Sequence, residues 1–116
     1  MHNCTITKAS ALAKAATSVE KNVKKAILLS GGWDKDFATG VVVIDNVMGK
    51  GEVHDKMRDV WYILKGSGRF HLGGTMQNPQ SPRSGEWTSD SLKEAEIVEV
   101  AAGDVIDIPP GEPHLT

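Results

Sequence analysis

Hydrophobic and polar positions change their period once along the chain. Over residues 7–17 (TKASALAKAAT) helix formers dominate and Ala9, Leu12 and Ala16 make a thin apolar stripe. With Thr5 or Thr7 as the capping residue, this predicts a short helix. From residue 26 the texture is β. AILLS at 26–30 and VVVIDNV at 41–47 are rich in branched side chains and flank the turn-rich GGWDKDFATG, which predicts two strands and a loop. GEVHDK, DVWYILKGSGRFHLGG, EIVEVAAGDVIDIPP and GEPHLT follow as short β-like runs, cut by Gly and Pro at hairpin intervals. Many short strands at close turn spacing predict an all-β sandwich or barrel over 26–116. Within it, residues 73–93 (GGTMQNPQSPRSGEWTSDSLK) carry Pro79 and Pro82, which cannot donate to a sheet ladder, among turn-forming Gly, Ser and Asn. This stretch is expected to be a long insertion lying across the barrel rim as a lid.

The length of 116 residues fits one domain, 1–116. A formal net charge of -2, with 24% charged residues, gives no electrostatic footprint for nucleic acid or an anionic membrane. The longest apolar run, 40–44, is far short of the ~20 residues a membrane helix needs. Lys8, Lys14, Glu20, Lys21, Lys24 and Lys25 break up any signal-peptide core, so the residues read as a soluble, cytoplasmic protein; a leader removed ahead of residue 1 would leave no trace in them. Cys4 is the single cysteine and cannot form an intrachain disulfide.

Two segments carry candidate chemistry. In residues 51–68, GEVHDKMRDVWYILKGSG, strand alternation puts Glu52 and His54 on one face, and after a turn through Lys56 and Met57 it puts Asp59 on the face of Trp61 and Ile63. In residues 103–114, GDVIDIPPGEPH, a Gly-Asp turn feeds a strand, a Pro-Pro-Gly corner reverses it, and His114 begins the return. Asp59 has a plainer reading as a strand-edge acid neutralised by Arg58. Trp61, Tyr62 and Phe70 read as core, Trp61 being the nearest to a ligand. Trp87 is either a pin for the insertion or a lid residue, and strand register decides whether His71 lines the pocket.

At these two segments the chain resembles the cupin superfamily. The family's second motif, GD, an aliphatic strand, PxG and His, is matched by Gly103, Asp104, Ile108, Pro109, Gly111, Pro113 and His114. The tail of its first motif is matched by Asp59, Tyr62, Ile63, Leu64, Gly66 and Gly68, whereas the usual HxH is absent. Taking His54 as the second histidine puts Glu52 in the first position and keeps Asp59 three residues before Tyr62; taking it as the first puts Lys56 where a ligand belongs. The former register is preferred. Gly73-Gly74-Thr75 and Gly85-Glu86-Trp87 further resemble a cupin subgroup with an EVH opening and a GGT-to-GEW insertion, from which no single reaction follows.

The resemblance implies a cupin-type double-stranded β-helix, a jelly-roll barrel, with Glu52, His54, Asp59 and His114 as metal ligands and Trp61, Arg69, His71 and Trp87 around a small-molecule pocket. Two imidazoles and two carboxylates suit Fe, Mn, Zn or Ni as a divalent ion with open positions. Oxygenase, isomerase and lyase or decarboxylase chemistry all fit the fold, with catalytic residues beyond the ligands undefined. A non-catalytic ligand-binding module without metal is the alternative, favoured by the departure from HxH. The sequence given stops two residues after His114, where the family continues with further strands. The missing pairing would come from strands 26–30 and 41–47, from chain beyond the sequence given, or from a second subunit. The resemblance implies a homodimer, with strand exchange as one way to cover an open edge.

Overall fold

In the computed structural model, which describes residues 2–116, strands dominate and one short helix occurs. The chain divides into two units, one ending at Val47 and one spanning Met48–Thr116.

In the first unit, α1 (Ala9–Thr17) starts two residues later than the stripe predicts, because Lys8 rather than Thr5 or Thr7 takes the N-cap position, with no side-chain hydrogen bond. No α1 residue is buried. Strands β1 (Lys24–Gly31) and β2 (Ala38–Ile44) form an antiparallel hairpin with an irregularity between Leu28 and Ser30. Val41 is its buried apolar residue.

The second unit contains β3 (Gly51–His54), β4 (Asp59–Tyr62), β5 (Ser67–Leu72), β6 (Thr75–Gln77), β7 (Gln80–Arg83), β8 (Glu86–Ser89), β9 (Ser91–Lys93), β10 (Glu96–Ala101), β11 (Val105–Ile108) and β12 (His114–Leu115). Six strands form one antiparallel sheet in the order β10-β5-β12-β3-β8-β7, while β11-β4 and β6-β9 are two-stranded. Pleat alternation gives the large sheet two distinct faces. Phe70, Leu72, His114, Glu52, His54, Thr88 and Glu86 share one face, since the pairings His114 with Leu72 and Glu52, Glu52 with Thr88, and His54 with Glu86 are directly opposite. Phe70, Val100 and Ile108 are the buried heart of the unit. Trp61, Ile63, Leu72, Val98 and Ile106 pack around them, so the small β4-β11 sheet closes over this face of the large one. Trp61 meets Phe70 edge to face, ring centroids 5.3 Å apart at 77°.

Residues 73–93, expected as a long insertion across the rim, are built of paired strands. They form β6 to β9, and β8 pairs with β3 inside the main sheet. The prolines are accommodated because Pro82 lies in β7, the sheet's edge strand, within the irregular stretch of its pairing with β8 between Gln80 and Arg83, and Pro79 falls in the turn after Asn78, whose φ is 52°. Gly74, at φ 77°, sits where an added Cβ would come within 2.4 Å of the Lys93 carbonyl oxygen, so only glycine allows this turn to close.

Phe70 is 3% exposed at the centre of this packing. Phe70→Ala is expected to destabilise the protein by about 3–5 kcal/mol, read as a lowered urea midpoint with little change in slope.

Candidate functional site

His114 is set in place by the corner before it. Gly111, at φ 82°, donates its N–H to the His54 carbonyl at 2.8 Å, and Gly73 N donates to the Pro113 carbonyl at 2.8 Å. The corner is thereby tied both to the end of β3 and to the turn after β5, and the two-residue β12 is laid between those strands. The His114 side chain is 2% exposed. Its Nδ1 lies 3.0 Å from the Glu112 carbonyl oxygen, which can only accept, so Nδ1 carries a proton and Nε2 is the nitrogen turned toward the carboxylates. That Nε2 is buried with no hydrogen-bond partner among the described residues.

His54 follows the same logic with a different acceptor. Its Nδ1 donates to the Glu86 carboxylate, 2.8 Å from Oε1 and 2.9 Å from Oε2, turning Nε2 the opposite way. The two rings lie 5.1 Å apart. Their Nε2 atoms face the same two carboxylates. Asp59 Oδ2 is 3.5 Å from His54 Nε2 and 3.3 Å from His114 Nε2, and Glu52 Oε2 is 3.8 and 3.7 Å from them. Ligand atoms of Glu52, His54 and His114 all fall within 4.8 Å of one another. Metal–ligand bonds of about 2.0–2.2 Å place neighbouring donors of one coordination shell roughly 3–3.5 Å apart, so these separations are closer to a shell's edges than to hydrogen bonds. The donor set fits a divalent ion. Two imidazoles held in the Nε2-ligating tautomer, one of them buried without a partner, are what such an ion requires.

The four predicted ligands Glu52, His54, Asp59 and His114 are thus brought together. Asp59 is not paired with Arg58, which reaches Asp107 at 2.7 Å instead. The predicted pocket residues divide. Trp61 is on the inner face of β4 with Asp59, packed on Phe70. Arg69 and His71, by the β5 pleat, lie on the face opposite Phe70, and Arg69 is an exposed partner of Glu99 at 3.7 Å. Trp87 pairs with Val53, also on that opposite face, and donates its Nε1–H to Asp55 Oδ2 at 3.2 Å, which makes it a pin. Sequence reasoning missed Glu86. Its role follows from lying directly across from His54 in the β3-β8 register, a pairing between residues 32 positions apart that composition and period do not disclose.

The charged groups of the cluster shift one another. The Asp59 carboxylate raises the His54 imidazole, burial lowers it and Glu86 raises it again, with the net result that it is held up to about 9 from 6.5. Burial pushes the Asp59 carboxyl upward, but His114 and His54 beside it prevail and hold it well below the ordinary carboxylate range.

These shifts have opposite consequences for stability. A histidine raised in the folded state contributes fully below about pH 6.5, and that contribution fades as pH rises to about 9. The depressed Asp59 contributes above about pH 4 and is lost as pH falls below it. The melting temperature of metal-free protein is therefore expected to decline between pH 6.5 and 9.5, and a scanning-calorimetry series should show that decline flattened in His54→Gln. Comparison of the chain with protein-family models, curated proteins and solved structures finds no match, so the chemistry of the site rests on its geometry.

Proposed function

We propose that the protein is a small metal-dependent cupin that acts on a small organic molecule at the cluster of Glu52, His54, Asp59 and His114. The observation that carries this reading is the buried, unpartnered Nε2 of His114 beside Nε2 of His54 and the two carboxylates. A polar atom buried without a partner costs about 1–3 kcal/mol, and a bound cation removes that cost. Four protein donors leave room on a six-coordinate ion for a ligand bearing one or two oxygens. Bound there, a divalent ion supplies Lewis-acid polarisation of those oxygens.

The chain's own residues divide the remaining work by exposure. The Glu52 side chain, 39% exposed, stands at the open side, where its carboxylate can hold or pass a proton between ligand and solvent. Asp59 and His114 form the inner wall. Trp61 offers Nε1–H, the second buried polar atom without a hydrogen-bond partner among the described residues, as a donor to a ligand oxygen. Oxygenation, isomerisation and decarboxylation or lyase chemistry all begin from a small molecule anchored in this way.

A second reading has its own support. Without metal, the His54 imidazolium between Asp59 and Glu86 neutralises much of the cluster internally, and the cluster then suits a non-catalytic module that hydrogen-bonds a polar ligand.

Elemental analysis of protein purified without added metal separates the two. Near-stoichiometric Fe, Mn, Zn or Ni is expected, falling by at least tenfold in His114→Ala and in His54→Ala, with Asp59→Asn intermediate. A folded protein that is free of metal and takes up none of the four on dialysis would support the binding module instead.

A further inference from the structure

We infer that Glu86 is a positioning residue for the ligand His54, and that the β7-β8 hairpin carrying it is an integral part of the metal centre. This rests on the metal reading above.

An imidazole presents its two nitrogens in different directions, so fixing Nδ1 fixes where Nε2 points. His114 is fixed locally, by the carbonyl of Glu112 two residues earlier. His54 is fixed from a distance. Both oxygens of Glu86 reach its Nδ1, and the Glu86 side chain is only 19% exposed, so water competes weakly for the contact. Two further links hold the hairpin at this spot, and a third steadies Glu86 within it. Asp55 N donates to the Gly85 carbonyl at 2.9 Å, Trp87 Nε1 donates to Asp55 Oδ2, and the guanidinium of Arg83 stands 3.6 Å from Glu86 Oε1, opposite it in the β7-β8 pairing. Gly85, at φ 80°, makes the tight turn that brings Glu86 directly onto β3.

The electronic consequence follows from the geometry. A carboxylate accepting the Nδ1 proton makes Nε2 more electron-rich, a stronger ligand than one backed by a neutral amide. The ligands therefore differ in kind: His114 is backed by a neutral carbonyl, His54 by a charge that arrives with the hairpin. Seating of the hairpin and affinity for the ion are then linked, each favouring the other, since an effect of one on the other must be reciprocal.

The test uses the full chain and Co(II) alone, whose visible absorption reports the coordination shell. Dissociation constants are measured by competition for the native protein, Glu86→Ala, Glu86→Gln and His54→Ala. Glu86→Ala is expected to weaken Co(II) binding 10- to 100-fold with an altered spectrum. Glu86→Gln, whose amide oxygen can still accept from Nδ1, is expected to restore the native spectrum and only part of the affinity. Native Co(II) affinity and spectrum in Glu86→Ala, with His54→Ala impaired, would overturn the role of Glu86 and leave the metal reading standing. Absence of Co(II) binding by the native protein would overturn both.

A measurement on the unmutated protein covers the case in which Glu86→Ala misfolds. Loaded with diamagnetic Zn(II), His54 is expected to show a protonated Nδ1 and a ligating Nε2 in long-range nitrogen-proton correlation spectra; ligation through Nδ1 would overturn the proposal. Backbone amide exchange over residues 80–89 is expected to slow on Zn(II) loading, and exchange unchanged by the ion would overturn the link to the hairpin.

Discussion

The site depends on one constraint, the direction in which two imidazole rings point. A histidine brought near a carboxylate is ordinary; a histidine whose Nδ1 is committed to an acceptor has only Nε2 left to offer, in one direction. Here both rings are committed, His114 to a backbone carbonyl and His54 to a carboxylate, and both Nε2 atoms turn toward Glu52 and Asp59. Backbone links produce this arrangement. The Gly111 to His54 and Gly73 to Pro113 bonds lay β12 between β3 and β5, and the ladder between β3 and β8 sets Glu86 opposite His54. Remove either and a ring loses its anchor while the donor inventory stays the same.

Charge balance gives the cluster a reason to be conditional. Two carboxylates and two imidazoles in partly buried surroundings are costly to desolvate, and the metal-free protein offsets that cost by keeping His54 protonated. A divalent ion held at the proposed site would have to displace this proton. Metal and proton would thus compete for the same Nε2, and under the proposed function proton release would accompany uptake wherever His54 is still charged. The same carboxylate that positions His54 also favours its protonated form, so under the proposed function Glu86 would strengthen the ligand while raising the proton's claim on it.

How much of this the sequence disclosed depends on whether a feature is local. Glu52 and His54 are two apart on one strand, as are Asp59 and Trp61 on another, and alternation alone assigned each pair to a face. The Pro-Pro-Gly corner likewise announced the reversal that delivers His114. Arg69, His71 and Trp87 were a different matter, because which side of a strand faces the cluster is set by its partner's register, and one residue of slip exchanges the faces. Phe70, buried at the core, takes the inner side of β5 and leaves Arg69 and His71 the other. The 73–93 segment misled for a physical reason too: its prolines argue against an interior strand, and the fold meets that objection by putting Pro82 at the sheet edge while the proline-free β8 does the internal pairing. Glu86 was invisible for want of a partner.

The gradient of exposure across the cluster orders its parts. His114 is closed off at 2%, while His54, Asp59 and Glu52 rise from 22% to 39% along the path to solvent. A ligand therefore meets carboxylates first and the buried imidazole last. Negative charge at the mouth draws a cation inward and disfavours a bare anion, until the ion's own charge reverses the local field. Under the proposed function, an ion held there would turn a mouth that favours cations into one that favours anions.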